Sequence, residues 1–345
     1  MVTIHGGTTQ HQPDWSLDRI DQRALPLSDT YSYTHDGSDV YVYVIDTGVR
    51  AEHDQFFSGQ VERIHDRFDS EGDFNDTCDS GYDPCPGFCP IQAAGVHGTL
   101  SGHGTAVAGM VGALDVGAAK GALIKDLRVF DCKGYSQASL VIDAINDVAD
   151  HASAHGSTAV LNMSFGYHES VDQVGSMESA IRDLPSRVLP IASAGNDNAD
   201  ASTQVPARMS EVLTVGSSTI DDSRAGHSNW GAAIDLFAPG EDVEVLWDSS
   251  DSATIRSSGT SFAAPLVAGV AAIHIDAVGV DVFANDVRTA IMGNVTESVL
   301  SNLSGSPNKL LYQWHRPDDD GGGDDGSDPP SCPYQDEDGQ WVMCP

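Results

Sequence analysis

Basic residues are scarce in this chain. Its 345 residues carry 17 Lys and Arg against 51 Asp and Glu, a formal net charge of −34. That balance argues against nucleic acid as a partner, because phosphates would be repelled. Nine acidic residues and no basic one fall within 317–345; removing them from −34 leaves −25 on residues 1–316, so the body is acidic too. Such a surface suits a salty or calcium-containing medium that screens or bridges carboxylates, and it serves plain solubility equally well. Long apolar runs are also missing. The longest, after Ser261, falls short of the roughly 18–20 residues that a bilayer span needs, and no membrane partner is expected. Met1 to Gln10 lacks the basic start and apolar stretch of a signal peptide, so a processed form is expected. Cysteines number only six, with no matched C-x-x-C pairs, which argues against structural zinc and suits an oxidising compartment.

Against these absences stands S-G-T-S-F-A-A-P-L-V-A-G-V-A-A-I at 258–273. Gly259 permits a tight turn with positive φ. Thr260 or Ser261 is expected to cap the apolar helix that follows. Ser261 then sits at the positive end of the helix macrodipole, where an oxygen that turns negative during reaction is stabilised. A serine before an apolar helix is, by itself, only a cap. Two further stretches ask for a nucleophile. V-Y-V-Y-V-I-D-T-G-V at 40–49 is a buried parallel strand ending in Asp46. L-S-G-H-G-T-A-V-A-G-M-V-G at 100–112 sets His103 between two glycines at the mouth of a small-residue helix. A serine attacks a carbonyl at neutral pH only when a base takes its proton. Imidazole does so, and a carboxylate fixes its tautomer and orientation. The order Asp, His, Ser differs from His, Asp, Ser in chymotrypsin-like enzymes and Ser, Asp, His in α/β-hydrolases, and G-T-S-F-A is not the G-x-S-x-G elbow. G-H-G-T-A-V-A-G also fails the G-x-G-x-x-G spacing of a dinucleotide site.

Between these stretches, β-rich and helical patterns alternate. Strands are expected at 127–130, 159–164, 188–193, 212–217 and 234–237, and helices at 140–155, 177–184 and 283–292. The alternation predicts an α/β fold with a mostly parallel central sheet and helices on both faces. Asp46 and Asn196 both fall at or just beyond strand C-termini, where sites gather in such sheets. Residues 63–96, rich in Asp, Gly, Pro and Cys, read as an inserted surface loop near His103. There Asp69, Asp73 and Asp76 are solvated or bind calcium. The organisation expected is an N-terminal extension over 1–12, a catalytic domain over 13–316, an acidic Asp/Gly/Pro linker over 317–331 and a small tail over 332–345.

The chain resembles the subtilisin-like serine proteases, most closely the proteinase K-like branch with its bacterial aqualysin-type members. The resemblance runs from about Pro13 to Trp314. Beyond the three stretches above, it rests on D-W-S-L-D-R-I-D-Q-R-A-L-P-L-S at 14–28, N-M-S-F-G at 162–166, S-A-G-N-D-N-A-D-A at 193–201 and S-P-N-K-L-L-Y at 306–312. It implies the three-layer subtilisin-like fold. It also implies a secreted, monomeric endopeptidase that cuts extended protein or peptide segments through an acyl-enzyme and is made with its own propeptide. Ser261 is then the nucleophile, His103 the general base and Asp46 its orienting carboxylate. Asn196 and the Ser261 backbone N–H donate to the oxyanion. Gly134, Tyr135 and Ser136 on one side, and Ser164, Phe165 and Gly166 on the other, sandwich the substrate strand. The alternative is a catalytically silent binding protein on the same scaffold with a covered cleft.

Structural Ca2+ is implied at two places, and no organic cofactor. One is the turn carrying Asp18, Asp21 and Gln22, which share a face at i, i+3, i+4; an ordinary polar face paired to Arg19 or Arg23 explains that spacing equally. The other is Asp235 with the carbonyls of Ser210 and Val212. Cys132 matches a half-cystine of the aqualysin-type enzymes, but its usual partner before the catalytic His is absent; Cys78, Cys85 or Cys89 takes that role. The family's second bridge is absent, and Cys332 and Cys344 form a self-contained pair in the tail. The chain departs from the family's glycine run after N-M-S-L, with Tyr167 and His168 following Gly166. Tyr167 is expected to narrow or cover the primary pocket. Ala106 and Leu266 replace two family histidines outside the triad.

Overall fold

A computed structural model of the chain describes residues 7–66, 102–131, 134–168, 170 and 173–316, with the tail backbone at 334–335 and 341–342. In chain order the first half comprises β1 (Thr8–His11), α1 (Trp15–Ile20), β2 (Thr30–Tyr33), β3 (Tyr41–Asp46), β4 (Val61–Asp66), α2 (His103–Gly112), β5 (Leu123–Arg128), α3 (Ala138–His155), β6 (Ala159–Met163), β7 (Tyr167–His168), α4 (Val174–Arg182) and β8 (Val188–Ser193). It continues with β9 (Gln204–Val205), β10 (Leu213–Ser218), β11 (Leu236–Pro239), β12 (Val243–Leu246), β13 (Thr254–Ser257), α5 (Thr260–Val278), α6 (Ala284–Asn294), β14 (Thr296–Glu297), β15 (Lys309–Leu310), β16 (Tyr334–Gln335) and β17 (Trp341–Val342).

Nine strands form the central sheet in the order β14-β15-β11-β10-β8-β6-β3-β5-β4. Every pairing in it is parallel except β14 with β15. The strand β3 shows why the sequence builds it. Its side chains alternate between faces: Val42 and Val44 enter the core shared with α2 and α5, while Tyr43 and Ile45 enter the core shared with α3 and α4. Both faces are dry, so the strand reads as one continuous apolar run. Each fully buried Val, Ile or Leu contributes about 1.5–3 kcal/mol. That outweighs the roughly 1 kcal/mol that each glycine in α2 costs a helix.

The expected strands and helices form, with ends shifted by a few residues. The sheet edge is a difference. Arg63 to Asp66 belong to β4, paired with β5, so an insertion starting at Arg63 is corrected. This edge strand was missed because its sequence, V-E-R-I-H-D, lacks a clean alternation. The N-terminal segment pairs with the body through β1 and β2, antiparallel from Thr8↔Tyr33 to His11↔Thr30. In the tail, β16 and β17 form an antiparallel pair. The apolar helix after Ser261 is longer than expected. With 19 residues, α5 is long and apolar enough to cross a membrane, but it is instead buried as the core helix beneath the sheet. Cys78, Cys85, Cys89, Cys132, Cys332 and Cys344, with Asp69, Asp73 and Asp76, lie outside the described residues.

Candidate active site

Asp46 ends β3 and His103 begins α2. Gly102, just before the helix, has φ 84°, a left-handed conformation that glycine adopts without strain. Gly104, just after His103, lies so close to the loop following β3 that a Cβ would stand 2.5 Å from the Gly48 carbonyl oxygen. The Gly104 N–H also donates to Thr47 Oγ1 at 3.0 Å. The G-H-G string therefore brings the helix mouth against the end of β3. His103 Nδ1 lies 2.8 Å from Asp46 Oδ1 and 3.0 Å from Oδ2. Asp46 accepts only, so Nδ1 carries the proton and Nε2 of the neutral ring is left as an acceptor. Burial works against the charged imidazole, but the charge and hydrogen bond of Asp46 together outweigh it and hold the His103 pKa above its ordinary value.

Ser261 sits in the first turn of α5, not at its cap. Helix α5 starts at Thr260, and Gly259 before it is extended, with φ 165° and ψ 150°, so the expected positive-φ turn and side-chain cap are both corrected. The cap comes from elsewhere. Asn196, in the loop after β8, accepts from Thr260 N (2.8 Å) and Thr260 Oγ1 (3.0 Å) through Oδ1. Those donors fix which amide atom is oxygen. Nδ2 then faces the other way, 3.6 Å from where a Gly259 Cβ would stand. Thr260 Oγ1 also accepts from Gly195 N at 3.1 Å. The Ser261 N–H, in this first turn, has no intrahelical acceptor.

Pro265 lies four residues after Ser261 and has no N–H to donate to the Ser261 carbonyl. Ser164 Oγ donates to that carbonyl instead, at 2.9 Å, and itself accepts from Asn162 Nδ2 at 2.9 Å. The Ser261 hydroxyl donates to the Ser164 carbonyl at 3.2 Å. That bond, not one to the imidazole, holds the hydroxyl here, and catalytic hydrogen bonds often tighten only with substrate.

Asp46, His103, Asn196 and Ser261 all line one cleft of about 430 Å3. Of the expected substrate segments, Gly134, Ser164, Phe165 and Gly166 line it too. Tyr135 and Ser136 are not among the lining residues; Tyr135 is 71% exposed. Tyr167 does not narrow or cover the cleft. Its ring packs edge-on against Phe165 (6.1 Å between centroids), partly buried against the core beneath α3 and α4, and it is absent from the lining. The residue overlooked is Gln204. It reaches the cleft from β9, whose two-residue pairing with β7 leaves no periodic signal to read.

The residues assigned to calcium fall into two unlike settings. Asp18 and Asp21 are both buried. Asp18 accepts from Ser28 N (3.0 Å), Ser28 Oγ (3.1 Å) and Asp29 N (2.7 Å). Asp21 Oδ2 accepts from Ser32 N at 2.8 Å, but its Oδ1 has no partner. Burial pushes the Asp21 pKa up to about 7, against the pull of the Ser32 N–H and Arg316 and with a smaller push from Asp18. A buried, half-satisfied carboxylate beside a second carboxylate fits a hard cation. Arg19 does not supply the charge, being paired with Asp222 at 2.7 Å. Gln22 donates from Nε2 to the carbonyls of Ala24 (2.5 Å) and Pro26 (2.9 Å). Among the described residues, no group of three or more His, Cys, Asp or Glu is placed to hold a metal. A cation at Asp21 therefore needs amide and carbonyl oxygens as well.

At Asp235 the residues do not fit a metal ion. Arg288 Nη2 donates to Asp235 Oδ1 at 2.9 Å and Nη1 to the Ser210 carbonyl at 2.7 Å. Asp235 Oδ2 accepts from Thr214 N at 2.8 Å. The guanidinium already supplies the positive charge between those oxygens.

The fold and the cleft together define an α/β hydrolytic scaffold with a serine in the first turn of its core helix. Residues 37–309 match the model of the subtilase family, peptidase S8. The chain belongs to the subtilase family of serine endopeptidases. It is 36% identical over 311 residues to an extracellular serine proteinase of Thermus sp. (strain Rt41A), covering 90% of this chain and 68% of that protein. It is 38% identical over 329 residues to alkaline serine exoprotease A of Vibrio alginolyticus, covering 94% of this chain and only 55% of the relative. Among solved structures, a cold-adapted subtilisin-like serine proteinase superposes with TM-score 0.74 at 37% identity, over 88% of this chain and 98% of the other.

Proposed function

We propose that the protein is a secreted serine endopeptidase acting on extended protein segments. One observation carries the reading. The Asp46 carboxylate holds the His103 imidazole by Nδ1, in the cleft that also contains Ser261 and the outward Nδ2 of Asn196. In the proposed reaction, Ser261 Oγ attacks the peptide carbonyl carbon while its proton passes to His103 Nε2. The resulting oxyanion receives hydrogen bonds from Asn196 Nδ2 and the Ser261 N–H. The C–N bond then breaks, and the amine leaves with the proton that His103 carried. Water, deprotonated by the same imidazole, releases the acyl group. The raised His103 pKa suits a base that must hold a proton between these steps.

Secretion is supported by the relatives' extracellular naming and by the acidic surface. The expected states are a monomer in the medium and a complex with its own propeptide before maturation. A structural calcium ion is proposed at Asp18, Asp21 and the Gln22 amide oxygen, where it would compensate the buried Asp21 charge.

The test is hydrolysis of casein and peptide anilides, with labelling by a fluorophosphonate probe. Ser261→Ala is expected to lower kcat about 10⁴-fold or more and to abolish labelling. Asn196→Asp keeps the acceptor for Thr260 and removes the Nδ2 donor. It is expected to cost roughly 10²–10³ in kcat, a scale set by a member of this same family. Full activity in Ser261→Ala would sink the proposal. A wild-type chain that neither cleaves nor labels would be the silent binding protein.

A further inference from the structure

A second cluster of titratable side chains lies away from the cleft, at the other end of β3. Asp46 ends that strand and Tyr41 begins it, roughly 16 Å away at the usual rise of a parallel strand. The last turn of α3 packs against this end. His151 and His155, four residues apart and so on one helix face, stack with ring centroids 4.1 Å apart and planes at 26°. Tyr41 meets both rings edge-on, at 5.7 and 5.2 Å. Each imidazole is held by the same edge. His155 Nδ1 lies 2.9 Å from the His151 carbonyl, which only accepts, so Nδ1 carries the proton and Nε2 the lone pair. His151 Nδ1 lies 2.8 Å from the hydroxyl of buried Tyr43. Neither Nε2 has a hydrogen-bond partner among the described residues. Burial first, then the charges of His155 and Lys125, lower the His151 pKa against the pull of Glu62. That ring is therefore neutral near pH 7, the form that binds a metal.

Two imidazoles one helical turn apart, each fixed by Nδ1 and unpaired at Nε2, are ligands for ions of the zinc, copper and nickel class; calcium takes oxygen instead. We propose that His151 and His155 bind one divalent transition-metal ion of this class through Nε2, at a surface site separate from the cleft and from Asp21. Zn–N bonds of about 2.0–2.1 Å in a tetrahedron put two nitrogens roughly 3.3 Å apart. Rings stacked at 4.1 Å reach that span by small side-chain rotations. The His151 carbonyl and the Tyr43 hydroxyl are then the outer partners that fix each ring's tautomer and orientation. The ion sits where α3 ends, and the carbonyls of a helix C-terminus favour a cation. Glu62, whose charge reaches both histidines, offsets Lys125, with which it pairs. Lys125 Nζ lies over the Tyr41 ring, 4.6 Å from its centroid. Three ligating side chains are not gathered here among the described residues, so the ion keeps positions for water. Bound there, it clamps the last turn of α3 and stabilises the folded state by mass action.

The experiment titrates the full chain carrying Ser261→Ala with ZnCl2 by calorimetry, in a buffer holding calcium in excess, and follows the histidine ring nitrogens by long-range 1H–15N NMR. Zn2+ is expected to bind at one equivalent that His155→Gln weakens about tenfold or more. Tyr43→Phe removes an outer partner and leaves both ligands, and it is expected to weaken the same equivalent about tenfold. In the parent spectrum the Nε2 resonances of His151 and His155 are expected to move with Zn2+ while Nδ1 stays protonated. Equal Zn2+ binding by the parent and His155→Gln overturns the proposal. Should that variant fail to fold, the parent spectrum decides: Nε2 resonances unmoved by excess Zn2+ overturn the proposal equally.

Discussion

Pro265 frees the Ser261 carbonyl from its helix, and Ser164 Oγ takes it at 2.9 Å. A residue one turn along α5 thus decides that the Ser261 backbone bonds to the 164–166 segment that lines the cleft rather than to its own helix. The relationship is a thermodynamic coupling and can be measured as one. Ser164→Ala is expected to leave a buried carbonyl unsatisfied and to cost about 1–3 kcal/mol. Pro265→Ala restores an N–H four residues on, so in that background the cost of Ser164→Ala should fall below about 1 kcal/mol. Urea unfolding of the four combinations, made in Ser261→Ala to prevent autolysis, reads the difference. Additive losses would show that the two residues act independently.

Divalent cations should act through Asp21 and not through Asp235. Adding calcium to the metal-free protein is expected to raise Tm, because a ligand of the folded state stabilises it by mass action. Asp21→Asn should remove most of that rise. Arg288→Met takes the guanidinium away from Asp235 and the Ser210 carbonyl, and a second, weaker calcium-dependent increment in Tm is then expected. Chelator titrations followed by calorimetry give all three values. A wild-type Tm indifferent to chelator, or an increment untouched by Asp21→Asn, would contradict the assignment.

Acid should loosen the junction where the end of the domain meets α5. His274 and His315 stack with centroids 5.3 Å apart and Nδ1 to Nε2 at 3.0 Å, beside Trp314 and His35. Asp276, which accepts from Gly37 N, and Asp36 and Arg316 are the charged groups near this junction in the chain. Burial pushes His274 down to about 4. Burial, then the charges of His274 and His35, push His315 down to about 3. Both folded values lie below the unfolded value of about 6.5. The unfolded chain therefore binds more protons through this window. The stability is complete above pH ~6.5 and is lost as pH falls toward 4 and then 3. His315→Gln should flatten the decline in unfolding free energy between pH 7 and pH 4.5. Parallel curves for wild type and variant would rule the junction out.

Most of the fold was readable because its cores impose local periods. The alternation in β3 and the helical spacing of Val141, Ala144, Ile145 and Val148 in α3 each follow from one buried face. The Asp46, His103 and Ser261 stretches were readable for another reason: small residues crowd them. Gly104 and Gly48 approach too closely for any other residue, and that crowding leaves a short string in the sequence. What escaped has no local period. Arg288 meets Asp235 across 53 residues, and Asn196 caps a helix 64 residues away. Gln204 enters the cleft from a strand of only two residues. Tyr167 was misjudged from its neighbours in sequence, whereas its packing against Phe165 decides where its ring lies.

The ladder between β1 and β2 has a further meaning beside the contacts at the other end of the domain. Thr34 N donates to the His315 carbonyl at 2.9 Å and Gln313 N to the Ile20 carbonyl at 2.6 Å. Both margins of the folded body are thus sewn to the same seam. On the proposed reading, a cleft that takes unpaired, drawn-out backbone makes the molecule its own most abundant potential victim. By keeping these margins engaged, the molecule withholds from its sister copies the loose threads they are built to cut.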